Sequence, residues 1–141
     1  MYLLDTNVIS ELRRPEKASA AVVAWAGSIA QDESFLSAIT VYELEVGVQQ
    51  KERADATQGL ILRTWLTGQV LTEFAERIIE LDGSAAALAA TLTVAHQISA
   101  ADAYIAASAI TRQLTIVTRN VKHFARTNAP IINPWEYTAA G

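Results

Sequence analysis

The apolar run Tyr2-Leu3-Leu4 stops abruptly at Asp5, and Thr6-Asn7 follows at once. A stretch this short and this sharply bounded is a buried strand rather than a helix, and the polar residues after it open a helix. The same pattern recurs at Ser34-Phe35-Leu36-Ser37, at Arg77–Leu81 and at Leu114-Thr115-Ile116-Val117, the last of these β-branched. Pro130-Ile131-Ile132 reads as a short edge strand. Longer helical patterns lie between these runs. A short helix stops at Pro15, and Lys17–Ile29 follows with Val22, Val23, Trp25, Ala26 and Ile29 on its apolar face. Thr40 to about Lys51 places Val41, Leu44 and Val48 on one face. Gln58–Leu66 does the same with Ile61, Leu62, Trp65 and Leu66, and Gly68 is placed to end it. Asp82-Gly83-Ser84 opens an Ala-rich helix to about Gln97, and Ser99 opens another that ends near Arg112. Short strands alternating with helices predict an α/β layer fold.

The 141 residues show no repeat and no composition break, so one domain over residues 1–141 is expected. The chain has no cysteine, which excludes disulfides and thiolate metal sites and fits a reducing compartment. His96 and His123 have no partner at ligand spacing, so a zinc site is not expected. The N-terminus lacks the basic region of a signal peptide, and polar residues interrupt the Ala-rich stretch 85–109. A cytoplasmic protein with no membrane partner is the expectation. The net charge of −4 argues against general affinity for nucleic acid. The charge is uneven, however. Residues 31–101 hold ten acids and four bases, whereas residues 112–141 hold Arg112, Arg119, Lys122 and Arg126 against Glu136 alone. That basic edge is compatible with local grip on a phosphate chain, or with an ordinary solvated face.

Three acids share one context. Asp5 follows the first strand, Glu43 lies three residues after Thr40, and Asp102 lies three residues after Ser99. Taken singly, each is explained as a helix cap: Thr40–Glu43 fits a capping box, Ser99–Asp102 resembles one, and Asp5 suits an N-cap. Taken together they suggest more. In an open α/β sheet ligands bind outside the carboxyl ends of the strands, where Asp5 and Glu43 fall. Carboxylates crowded there repel unless a cation lies among them. Oxygen ligands without His or Cys suit Mg²⁺ or Mn²⁺, which can polarise a phosphate oxygen and activate a water. Around this core, Thr6 is a candidate to bond an acid or a phosphate. Gly47, one turn after Glu43, would leave room. Thr118-Arg119-Asn120 reaches the same rim, where Asn120 offers a neutral oxygen. Arg119 and Lys122 are candidates to hold a substrate backbone.

In this order, LLDTNVISEL, TVYELEVGV, ADAYIAASAI, IVTRN and INPW resemble the PIN-domain ribonucleases, and most closely the VapC-type toxins of bacterial toxin–antitoxin pairs. The resemblance covers nearly the whole chain. It implies a three-layer α/β/α sandwich on a mostly parallel sheet and Mg²⁺- or Mn²⁺-dependent endonucleolytic cleavage of RNA. It makes Asp5, Glu43 and Asp102 the catalytic, metal-holding acids. It also implies a small VapB-like antitoxin whose C-terminal segment covers the site, and a homodimer within the toxin–antitoxin assembly. Two positions depart from the pattern: Asn120 stands where a fourth acid is found when present, and His123 stands where an acid is common. His123 is read as a peripheral surface residue.

Two other classes compete. Another Mg²⁺-dependent phosphotransfer domain is disfavoured because an aspartyl phosphatase wants an acid at the position of Asn7, and a phosphate receiver wants paired acids after the first strand. An inactive PIN-like binding module, with the acids serving as caps or as a dock for a basic peptide, remains the non-enzymatic alternative.

Overall fold

The computed structural model describes residues 1–139; the last two residues of the expected domain, 140 and 141, lie outside the described residues. Five parallel strands form one sheet: β1 (Tyr2–Leu4), β2 (Ser34–Ser37), β3 (Ile78–Ile79), β4 (Thr115–Val117) and β5 (Ile131–Ile132), in the order β3-β2-β1-β4-β5. Each strand is only two to four residues long. Side chains alternate between the two faces of a strand, and the core follows that period. Leu3 and Ile116 face one apolar cluster, and their neighbours Leu4 and Val117 face the other.

The helices are α1 (Thr6–Glu11), α2 (Ala20–Gly27), α3 (Ala38–Ala54), α4 (Ala56–Trp65), α5 (Leu71–Glu73), α6 (Gly83–His96), α7 (Ala100–Arg112) and α8 (Val121–Phe124). The first cluster packs under α6 and α7, whose Ala85, Ala89, Ala103, Ala106, Ala107 and Ala109 are buried. Their small side chains let two helices share one face of a narrow sheet. The second cluster takes Val8, Ile9, Trp25, Leu44 and Val48 from α1, α2 and α3. Helices thus cover both faces, giving the expected three-layer α/β/α arrangement around a sheet that is parallel throughout.

Several local expectations shift. The helix after β2 starts at Ala38 with Ser37 as its cap, because the Ser37 hydroxyl accepts from Ile39 N–H. Thr40 is therefore inside the helix, fully buried, and the expected Thr40–Glu43 capping box is not what holds Glu43. The segment Lys17–Ile29 is helical only over Ala20–Gly27, after a 3-10 turn at Pro15–Lys17. Gly68 does not end its helix. The chain widens into a π turn over Leu66–Val70, which keeps Leu66 and Val70 buried, and continues into α5. Leu62 and Trp65 pack inward as expected, but Ile61 is 48% exposed. Strand β3 keeps two of the five expected residues.

Two glycines in this layer behave oppositely. At Gly59 of α4 an added Cβ would lie 2.5 Å from the Glu52 Cα of α3, so the two helices touch backbone to backbone there. At Gly47 of α3 an added Cβ would meet nothing within 4 Å.

Candidate active site

The strand order places β1 in the centre. The chain moves outward from β1 to β2 and β3, then crosses back through α6 and α7 to β4 on the other side of β1. The gap between the carboxyl ends of β1 and β4 is therefore the topological switch point, where a crevice forms and α/β sheets bind ligands. Asp5 leaves the end of β1 and Thr118 leaves the end of β4, so sheet pairing alone brings two residues 113 apart in sequence into contact.

Their contact is specific. The Thr118 hydroxyl donates to Asp5 Oδ2 at 2.8 Å, and Thr6 N–H donates to Asp5 Oδ1 at 2.8 Å. Asn7 Nδ2 lies 3.3 Å from both Asp5 Oδ2 and Thr118 Oγ1, and its own Oδ1 accepts from Arg119 N–H at 3.3 Å. Asn120 N–H donates to Thr118 Oγ1 at 3.0 Å. Asp5 does cap α1, as the simplest reading of the sequence has it, but one oxygen suffices for that; the other faces the switch point.

The other two acids reach the same rim by separate routes. Glu43, in the first two turns of α3, accepts from the Thr6 hydroxyl at 2.7 Å, so Thr6 bridges two of the acids with its N–H and its O–H. Asp102 lies in the first turn of α7, where Ser99 Oγ accepts its N–H at 3.2 Å. Its carboxylate does not return to the Ser99 backbone as a capping box would; Oδ2 lies 3.2 Å from His123 Nδ1. His123 is thus exposed but not idle.

Electrostatics ties Asp5 to this group. Burial raises its carboxyl above the ordinary value of 3.8; the hydrogen bonds from Thr118 and Thr6 oppose this, the charge of Asp102 adds to it, and His123 opposes it. Asp5 is 6% exposed, so its ionised form is held in a place that disfavours it. A cation among the acids would reverse that penalty. The all-oxygen donor set fits a hard divalent ion such as Mg²⁺ or Mn²⁺. Among the described residues no three His, Asp or Glu side chains stand together as a ready ligand cluster, so the acids gather at one rim rather than around one point.

The remaining candidates divide. Thr118 is fully buried and central. The Asn120 side chain makes no cap bond to α8 and is exposed at the rim. The Arg119 guanidinium stacks over the Trp135 ring at 5.1 Å. Lys122 lines a separate bay beside Asp102. Gly47 and Glu43 line a cavity of about 210 Å³ with Thr6, Ser10, Arg13 and Trp65, so the missing side chain does leave open space next to the acid. Asn7 is the residue sequence reasoning passed over as a contributor. Its signal was a polar side chain in the first turn of a helix whose next two residues, Val8 and Ile9, are buried.

The PIN domain model matches residues 2–130 of the chain. Toxin FitB of Neisseria gonorrhoeae is 40% identical over 140 residues, covering 96% of this chain and 99% of that one. VapC ribonuclease Y4jK of Sinorhizobium fredii is 38% identical over 141 residues, with the same coverage of both. The solved structure of FitAB bound to an IR36 DNA fragment superposes with a TM-score of 0.87 at 36% identity, covering 100% of both chains. Family match, near-complete coverage and fold agree: this chain belongs to the PIN-domain family and is of the VapC type.

Proposed function

We propose that the chain is a Mg²⁺- or Mn²⁺-dependent endoribonuclease and the toxin of a type II toxin–antitoxin pair. The observation that carries this reading is the buried Asp5 carboxylate at the β1/β4 switch point, held by Thr118 and Thr6, with Asp102 in its field and Glu43 tied to it through Thr6. The names of relatives support it: a toxin at 40% identity and a VapC ribonuclease at 38%.

Asp5, Glu43 and Asp102 are the residues that would hold the ion. Bound there, Mg²⁺ or Mn²⁺ would polarise a non-bridging phosphate oxygen and acidify a water for in-line attack on phosphorus. The chain's own contribution is placement. Thr118 and Thr6 fix both Asp5 oxygens, so the carboxylate cannot rotate freely, and Asn7 braces the Asp5–Thr118 pair from the side. Thr6 aims Glu43 at the same rim. A rigid set of acids loses little order when a phosphodiester arrives.

The partner follows from the relatives. The FitAB complex is bound to a DNA fragment, which supports a DNA-binding antitoxin as the partner here; a small antitoxin with a segment over the acids is part of this proposal. A basic side chain from such a partner would pair with the carboxylates and exclude the ion. A homodimer within that assembly is part of the same proposal. The test is expression of the chain followed by mapping of cleavage sites on total cellular RNA, with Mn²⁺ and with excess EDTA. Discrete new 5′ ends that need the ion are expected, together with growth arrest relieved by co-expressing a cognate small antitoxin. Cleavage that survives EDTA would contradict the metal-dependent reading, and intact RNA in both conditions would favour the inactive binding module.

A further inference from the structure

Beside Asp102 lies a cavity of about 330 Å³ with walls that include His96, Ser99, Lys122, His123 and Arg126. Asp102 forms part of its wall and also belongs to the acidic rim, so anything bound in the cavity lies next to whatever the acids hold. We infer that this bay seats one phosphodiester group of the RNA chain, a near neighbour of the scissile one, held by Lys122 and Arg126. The inference rests on the ribonuclease reading above and adds a positioning site to it.

The chain carries −4 overall and gathers three carboxylates at the rim, so an approaching phosphate chain is repelled where it must react. Cations beside the acids, but not bonded to them, offset that repulsion and fix where the backbone runs. Lys122 and Arg126 meet this requirement. Among the described residues the ion pairs are those of Arg63, Arg112 and His123, and neither Lys122 nor Arg126 takes part in one. Asp102 is the one acid in the wall of the bay among the described residues, and its Oδ2 already lies 3.2 Å from His123 Nδ1. The one ion-pair contact that Asp102 makes is therefore with His123, not with Lys122 or Arg126. Arg119, the remaining cation of the β4 end, is committed to the face of Trp135. The bay thus holds two uncommitted cations four residues apart, with Ser99 and His96 also in its lining.

The test uses a single-stranded RNA oligonucleotide that the wild type cuts, the Lys122→Ala/Arg126→Ala double variant, and Arg53→Ala as a control. Arg53 is exposed near the far end of α3, ten residues beyond Glu43. The double variant should raise KM by about tenfold, the size of a lost charge-assisted contact, with kcat little changed. The dependence of log KM on log salt should become shallower by ~0.7, one phosphate's share on a single strand. Lys122→Arg with Arg126→Lys should stay close to wild type. Each phosphodiester of the oligonucleotide is then replaced in turn by an uncharged methylphosphonate. One position should raise KM for the wild type and leave the double variant unaffected. If the double variant responds to every neutralised position as the wild type does, or if Arg53→Ala gives the same loss, the bay holds no phosphate. A wild type that cuts no RNA at all would instead overturn the ribonuclease reading, so the two failures are distinct.

Discussion

Asp5 does three jobs with one carboxylate: it caps α1, anchors Thr118 and faces the switch point. The sequence made Asp5, Glu43 and Asp102 visible because each follows a recognisable strand end or helix start. It did not make the bonding visible, because Thr118 meets Asp5 across 113 residues and Asn7 acts through both. Thr118→Val keeps the shape but removes the donor to Asp5 and the acceptor for Asn7 and Asn120 in a fully buried position. It should lower stability by about 1–3 kcal/mol, seen as a lower urea midpoint with an unchanged slope. The Asp5 carboxyl lies above its ordinary 3.8 in the folded state, so its stabilising contribution is complete below that value and is lost as pH rises through the folded value. Near neutrality the ionised carboxylate opposes folding, and a cation among the acids relieves it. Mn²⁺ should therefore raise Tm more at about pH 7 than at about pH 4 in thermal-shift measurements, because protonated Asp5 is a poor ligand. Equal shifts at both pH values would contradict this account.

At the scale of elements, length and polarity mostly determined the outcome. Strand β1 and helices α6 and α7 match the sequence expectation closely, since caps at Asp82 and Ser99 and left-handed ends at Gln97 and Gln113 punctuate them. The expectation failed where tertiary contacts override local signals. Ser37 took the cap expected of Thr40, and burial of Leu66 and Val70 carried the chain through Gly68 in a π turn. The α3–α4 hairpin gives a paired prediction. Gly59→Ala pushes a Cβ into the Glu52 backbone and should destabilise by about 1–3 kcal/mol. Gly47→Ala meets open space and should stabilise by up to ~1 kcal/mol through helix propensity. Denaturant melts of the two variants check the opposite signs. If Gly47→Ala also weakens RNA cleavage without loss of stability, the open space beside Glu43 is needed by the substrate.

For the whole molecule, the order β3-β2-β1-β4-β5 creates the site. Alternating strands and helices pointed to an α/β fold, but local patterns hold no information about which strands become neighbours. That depends on the long crossover through α6 and α7, and it decides that Asp5 and Thr118 meet. Among the described residues no helix is long and apolar enough to cross a membrane. The molecule thus combines a small parallel sheet, an acidic rim at its switch point and a basic bay against one of the acids. The most direct test of this account compares the wild type with Asp5→Asn on the same RNA in Mn²⁺, with folding checked by circular dichroism. The account predicts a loss of cleavage on the order of 100-fold or more, with the melting transition retained. Cleavage by Asp5→Asn at the wild-type rate would contradict it.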